Sequence, residues 1–207
     1  MPPVRILLAD DHTLLLDGYE RLLEEEFDVV GTAANGREVV EMAITRRPDL
    51  VLMDVSMPLL NGIDAARRLA ALMPETKILM VSMHDDPNYV VESLRAGATG
   101  FVLKRSGWAE VLRAMKAILA GETYIDPAVA AQTTELLGRS EVGEDILTLR
   151  QREVLQLVAE GRTAQEIAAV LKISVKTVEF HKARIMQHLG VRTIAGLTKY
   201  AMRHGIA

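Results

Sequence analysis

The chain has 207 residues, 49% of them hydrophobic, which suffices for one large core or two ordinary ones, and it has no cysteine, which excludes a disulfide framework and thiolate metal sites and fits a reducing compartment. No apolar run approaches the ~18–20 residues of a membrane span, and MPPVRILLADD turns acidic too soon for a secretory signal, so a soluble, cytoplasmic protein without membrane contact is expected. The formal net charge of −4 is unevenly spread: residues 1–120 carry −5, residues 121–145 another −5, and residues 146–207 carry +6.

Along residues 1–120, short aliphatic and β-branched runs recur at VRILLA (4–9), DVVGTA (28–33), LVLM (50–53), KILMVS (77–82) and GFVL (100–103). Stretches with helical spacing lie between them, such as Val39, Val40, Ala43 and Ile44, or Val111, Leu112, Met115, Ile118 and Leu119. Strands alternating with helices imply βαβ units, and continuous rather than alternating apolar runs imply burial on both faces. The expectation is an α/β doubly wound, five-stranded parallel sheet. Residues 121–145 differ, with six acids and a helix start at Asp126-Pro127, and read as a linker with a short helix ending in the tether GRSEVGED. From residue 146 the pattern is helical throughout. Gly161 closes one helix, Thr163 with Glu166 forms a capping box, Ser174 can cap VKTVEFHKARIMQHL, and Thr193 can cap a last helix. Two helices joined by the short turn KIS give a helix-turn-helix pattern in an all-α, four-helix unit.

Ligands of open α/β sheets bind at the carboxyl ends of the strands. Here those ends carry Asp10 and Asp11, Asp54, Ser82 and Lys104. Each has an ordinary explanation as a cap, loop acid or surface lysine. Three converging carboxylates, however, repel one another and need a cation, and Mg2+ suits an all-oxygen set. Asp54 stands alone at the mouth of a strand and is the better nucleophile toward a phosphoryl group, with Lys104 assisting, while the Asp10–Asp11 pair is placed as ligands would be.

The blocks LLADDH, LMDVSMPLLNG, VSMHDD and RAGATGFVLK, the last ending in Lys104 itself, resemble a response-regulator receiver domain of flavodoxin-like fold over residues 1–120. The resemblance implies that Asp54 accepts phosphate from a sensor histidine kinase and that Asp10, Asp11, Asp54 and the Ser56 backbone carbonyl hold Mg2+. Ser82 and Lys104 would bind the phosphoryl oxygens. It also implies a switch in which Ser82 moves and Phe101, at a position often tyrosine in relatives, turns inward. Ser56 and His84 flank the site and are expected to influence phosphate lifetime.

LTLRQREVLQLVAEGRTAQEIAAVLKISVKTVEFHKARIMQHLGVRT resembles the four-helix DNA-binding domain of the NarL/FixJ (LuxR-type) regulators. On the wheel of its second motif helix, Val178, Ile185 and Leu189 face inward, and Lys176, Glu179, Phe180, Ala183 and Gln187 lie opposite. In a major groove Phe180 can meet a thymine methyl and Glu179 can accept from cytosine N4. The family reads bases at Glu179, Phe180 and Ala183, where relatives often carry lysine or valine. Lys172, Thr177, Lys182, Arg184 and His181 are phosphate-contact candidates, His181 having a structural role as the competing reading. The resemblance implies a dimer contact on the last helix, at Ile194, Leu197, Tyr200 and Ala201, and a homodimer when phosphorylated. An aspartyl phosphatase is the enzymatic alternative. Such enzymes carry a second acid two residues after the nucleophile, a position that holds Ser56 here. A receiver-only adaptor sits badly with the basic C-terminal unit. The domains are thus expected at 1–120, 121–145 and 146–207, in a phosphorylation-dependent regulator of promoter DNA that is not an enzyme on other substrates. With −5 facing +6, the receiver is a candidate to mask the DNA-reading helix.

Overall fold

The computed structural model describes residues 3–139 and 147–206, so most of the expected tether and the expected first residue of the third segment, 146, lie outside the described residues. The first unit is a parallel sheet of strands β1 (Arg5–Ala9), β2 (Asp28–Ala33), β3 (Leu50–Asp54), β4 (Lys77–Ser82), β5 (Gly100–Leu103) and β6 (Tyr124–Ile125), in the order β2-β1-β3-β4-β5-β6. Its helices are α1 (Thr13–Leu23), α2 (Gly36–Arg46), α3 (Gly62–Leu72), α4 (Pro87–Arg95) and α5 (Trp108–Leu119).

The strand pleat sorts alternate residues into two cores. Ile6, Leu8, Leu50 and Leu52 pack with Leu16 and Leu23 of α1 and Val111, Met115 and Ile118 of α5. Leu7, Ala9, Val51 and Met53 point the other way, toward Val39 and Ala43 of α2, Ile63 of α3 and Val90 of α4. Burial on both faces explains why the strands read as unbroken apolar runs.

The sheet has six strands rather than five. β6 is only two residues long, too short to carry a periodic signal, and pairs with Gly100 and Phe101 of β5. Asp126 then anchors the chain: its carboxylate accepts from the Leu103 N–H (3.0 Å), the Ser106 hydroxyl (2.5 Å) and the Ala128 N–H (2.9 Å), the last opening α6 (Pro127–Arg139). Val129 of α6 joins the core of the sheet unit, so the first part of the segment read as linker is packed on that unit.

The second unit is α7 (Leu149–Ala159), α8 (Ala164–Leu171), α9 (Val175–Leu189) and α10 (Ile194–Arg203) around Val154, Leu157, Ile167, Leu171, Val178, Ile185, Leu197 and Ala201. Thr163 and Glu166 form the expected capping box, Ser174 and Thr193 cap α9 and α10, and α7 has a further box from Thr148 and Gln151.

The two units touch through the β3–α3 loop. The Gln156 amide oxygen accepts from the Asn61 N–H at 2.8 Å, and its amide nitrogen donates to the Met57 carbonyl at 2.9 Å. Glu160 accepts from the Leu59 N–H at 3.1 Å. Leu59 has φ +67°, an unusual left-handed conformation for a bulky residue, and its side chain packs against the core of the helical unit. Beside this loop, Arg152 donates to Asp64 at 2.6 Å with both side chains buried, and Glu153 lies among Arg37, Arg68 and Arg150. At the far end, the Asn61 amide donates to the Ile206 carbonyl and the Tyr89 hydroxyl to the Met202 carbonyl, both at 3.1 Å.

Candidate functional site

Each acid of the site stands where a strand releases the chain. Asp10 follows β1 and is tied to its neighbour strand by its N–H to the Ala33 carbonyl; Asp54 is the last residue of β3. Gly62 lets α3 start directly behind it, since a Cβ there would lie 2.0 Å from the Asp54 carbonyl oxygen. Lys104, in a 3₁₀ turn (Lys104–Ser106) after β5, reaches both acids: its ammonium is 2.6 Å from Asp10 Oδ2 and 2.7 Å from Asp54 Oδ2. Asp10 and Asp54 are almost wholly buried, whereas the Asp11 side chain is 39% exposed.

Burial raises the Asp54 pKa above the usual carboxylate range, against the hydrogen bond and charge of Lys104, which hold it down. For Lys104 burial works to lower the pKa, but the hydrogen bonds and charges of Asp10 and Asp54 outweigh it and the net shift is upward. The sequence reading did not single out His12. Its Nδ1 lies 2.9 Å from oxygens of both Asp10 and Asp11, and its pKa is raised chiefly by the hydrogen bond to Asp10. Ligand atoms of Asp10, Asp11, His12 and Asp54 lie within 4.8 Å of one another. Three carboxylates in that space form a donor set suited to a hard divalent cation.

Ser82 has no exposed surface, and its Oγ accepts from the His84 N–H at 3.0 Å. Ser56 donates its N–H to Asp54 Oδ1 at 3.3 Å and places its Oγ 3.0 Å from His84 Nε2. The structure therefore brings Asp10, Asp11, Asp54 and Lys104 together, ties the Ser56 N–H to Asp54, and leaves Ser82 at the end of the neighbouring strand β4. Phe101 is fully buried in the core that α2, α3 and α4 cover.

On α9, Val178 and Ile185 are buried and Leu189 is half-buried, as the wheel predicts. Lys172 (at the end of α8), Lys176, Glu179, Phe180, Ala183 and Arg184 are exposed, Thr177 and Lys182 half-buried. The Arg184 guanidinium lies 5.5 Å from the Phe180 ring centre, and Lys182 pairs with Glu179 at 3.1 Å. His181 is half-buried, and burial lowers its pKa. Phe180 stays 56% exposed although the two units are docked, so the sheet unit does not cover this face. The α10 candidates divide. Leu197 and Ala201, spaced four apart, are the stripe that α10 buries in its own domain and are not available at a surface. Tyr200 is half-buried and stacked on His204 at 4.1 Å, and Ile194 is exposed.

Residues 6–116 match the family described as Response regulator receiver domain, and residues 145–201 match Bacterial regulatory proteins, luxR family. The transcriptional regulatory protein MctR of Rhizobium johnstonii is 39% identical over 208 residues, covering 99% of this chain and 96% of that protein. Among solved structures, RcsB of Salmonella enterica serovar Typhimurium bound to promoter P1flhDC with the phosphomimetic BeF3− is similar, with a TM-score of 0.62, 25% identity, and coverage of 99% of this chain and 100% of that one. A structure of two RcsB dimers bound to two parallel DNAs gives a TM-score of 0.62 at 25% identity, covering 97% and 98% of the two chains. Among the described residues no helix is long and apolar enough to cross a membrane. The chain belongs to the response regulators that join a receiver domain to a luxR-family DNA-binding domain.

Proposed function

We propose that this protein is a transcription regulator of a two-component system, switched by phosphorylation of Asp54 by a sensor histidine kinase. The observation that carries the reading is the ammonium of Lys104 shared between Asp10 and Asp54 at the mouth of β3. It stands in one chain with a helix-turn-helix whose outer face is open. An ionised Asp54 oxygen attacks the phosphorus of the donor; the new P–O bond forms as the bond to the donor's leaving group breaks, and the electron pair leaves with that group. Lys104 stabilises charge on the transferred phosphoryl group, and Ser82 offers a hydroxyl to its oxygens. Asp10, Asp11, Asp54 and the Ser56 carbonyl are the residues to hold Mg2+, which when bound neutralises charge on the phosphoryl oxygens.

The output is promoter binding by α9. Glu179, Phe180 and Ala183 face the bases; Lys172, Lys176, Thr177, Lys182 and Arg184 hold the backbone. A homodimer contact falls on the exposed part of α10, with Ile194 at its centre rather than Leu197 or Ala201. The site of action is the cytoplasm, where kinase and promoter are both within reach. Phosphate incorporation from acetyl phosphate with Mg2+ tests the reading: the wild type acquires acid-stable, base-labile label and Asp54→Asn acquires none. Label of equal extent on both proteins, or on neither with kinases also tried as donors, removes Asp54 as the acceptor.

A further inference from the structure

Where the two units meet, three arginines converge on one carboxylate. Arg37 of α2 and Arg68 of α3 come from the sheet unit, Arg150 of α7 from the helical unit, and all three pair with the buried Glu153. Arg150 Nη1 stands 2.6 Å from Glu153 Oε2, Arg68 Nη2 lies against Oε1, and Arg37 Nη2 is 3.6 Å from Oε1, too far for a hydrogen bond. Among the described residues no other acid pairs with any of the three. Asp64 is taken by Arg67 and Arg152, Glu38 is engaged with the Ala34 N–H, and the exposed Glu41 acts on Arg37 by its charge without pairing. The cluster therefore keeps a surplus of two positive charges. Burial lowers the pKa of each arginine, and like charge adds to it: Arg37 acts on Arg68 and Arg150, and Arg150 on Arg68. Placement compounds the imbalance. Arg37 and Arg150 each occupy the second residue of their helix, where the aligned peptide dipoles disfavour a cation and favour an anion. Arg37 Nε and Nη2 are buried without a hydrogen-bond partner. The three side chains nevertheless keep 26, 30 and 34% of their surface exposed, so a small solute reaches them.

We propose that Arg37, Arg68 and Arg150 form a binding site for a compact, multiply charged phosphate anion, which bridges the two units and favours their docked arrangement whatever the state of Asp54. Guanidinium forks meet phosphate oxygens two at a time, a match that a lysine ammonium does not offer. Arg150 is already held in place by its second nitrogen, which donates to the Leu171 carbonyl at 2.7 Å. Glu153 acts as a fixed spacer: it gathers the three forks at one point and leaves them short of negative charge. A ligand that touches both units binds the docked form better than the undocked one, and it shifts the equilibrium by that difference in affinity.

The test uses the full chain with EDTA at constant ionic strength, so that neither a cation at the acids nor screening contributes. Isothermal titration calorimetry with inorganic pyrophosphate gives the affinity. The lack of cysteine allows a dye pair at Glu25→Cys and Arg192→Cys, both exposed, and single-molecule energy transfer then gives the docked-to-undocked ratio. Saturating pyrophosphate raises that ratio at least about fivefold, within the usual range of coupling between sites. Arg37→Gln and Arg68→Gln each weaken pyrophosphate binding at least about tenfold, the loss of a hydrogen bond between charged groups. Glu153→Gln, which removes the competing carboxylate, tightens it at least about threefold, whereas a purely structural ion pair gives no tightening; the two arginine variants, at partly exposed positions, carry the test if this one does not fold. ADP that binds as tightly as pyrophosphate makes the ligand a diphosphate ester, and ADP at least about tenfold weaker makes it the free anion. Wild type that binds no pyrophosphate, or arginine variants that bind it as tightly as wild type, overturns the site. Binding that leaves the docked ratio unchanged overturns the bridge.

Discussion

Lys104 holds two nearly buried carboxylates with one ammonium, and this arrangement exposes the site to a single substitution. Lys104→Ala leaves Asp10 and Asp54 facing each other uncompensated. The expected loss in receiver stability is about 3 kcal/mol, at the low end for a broken buried pair because the acids can take up a proton. Thermal unfolding of the variant with and without Mg2+ checks this: the cation restores most of the loss if Asp10, Asp11 and Asp54 hold it, and none if they do not. These acids and Lys104 were legible in the sequence because the strand ends of a doubly wound sheet converge, so the register of each apolar run places its following residue. His12 was not legible, since a histidine after two acids has no period and its role depends on its ring turning back toward both.

At the level of the element, α8 depends on reciprocal caps. The Glu166 carboxylate accepts from both the N–H and the hydroxyl of Thr163, each at 2.7 Å, and these bonds depress its pKa, the backbone bond first. A carboxylate with a folded pKa below its unfolded one contributes stability that is present above the unfolded value and lost as pH falls through the folded value. An NMR titration of Glu166 is expected to show the depressed pKa in the wild type and a smaller depression in Thr163→Ala, which removes the hydroxyl bond and keeps the backbone one. On α9 the roles separate by chemistry. Lys176→Ala is expected to weaken DNA binding evenly across sequences and to reduce the slope of log affinity against log salt by about 1. Phe180→Ala is expected to leave that slope intact and to relax discrimination at one base step by about 1 kcal/mol or more. Binding isotherms on matched and mutated promoter fragments at several salt concentrations separate the two. The caps, the α9 wheel and five of the strands follow from local pattern. β6 does not, because two residues become a strand only when Asp126 ties the turn after β5 to the start of α6.

The whole molecule joins its parts through contacts with opposite exposure to solvent. Arg152 and Asp64 meet in a buried pair, while the α9 cations are open to water. Salt screens exposed charges far more than buried ones. Raising ionic strength from about 50 to 200 mM is therefore expected to weaken DNA binding steeply, by roughly 10³-fold or more with six or more phosphate contacts, and to leave the docked fraction nearly constant. Parallel titrations of DNA affinity and of energy transfer read the two effects. Charge asymmetry in the sequence suggested that an acidic receiver would cover the basic helix; the contact falls on α7 and α10 instead. Gln156 and Glu160 gave no warning, since in isolation they are polar residues of an ordinary amphipathic helix, and their partners are loop atoms about a hundred positions away.

Those partners are the N–H of Leu59, the N–H of Asn61 and the carbonyl of Met57, all main-chain groups. A docking surface that recognises main-chain atoms reads the path of the loop and is indifferent to most of its side chains. For chimeras the consequence is direct. A foreign receiver joined to this helical domain keeps its seat if its loop follows the same path, left-handed step at position 59 included, and if the side chains that reach across, Arg37, Leu59, Asn61, Asp64, Arg68 and Tyr89, travel with the graft.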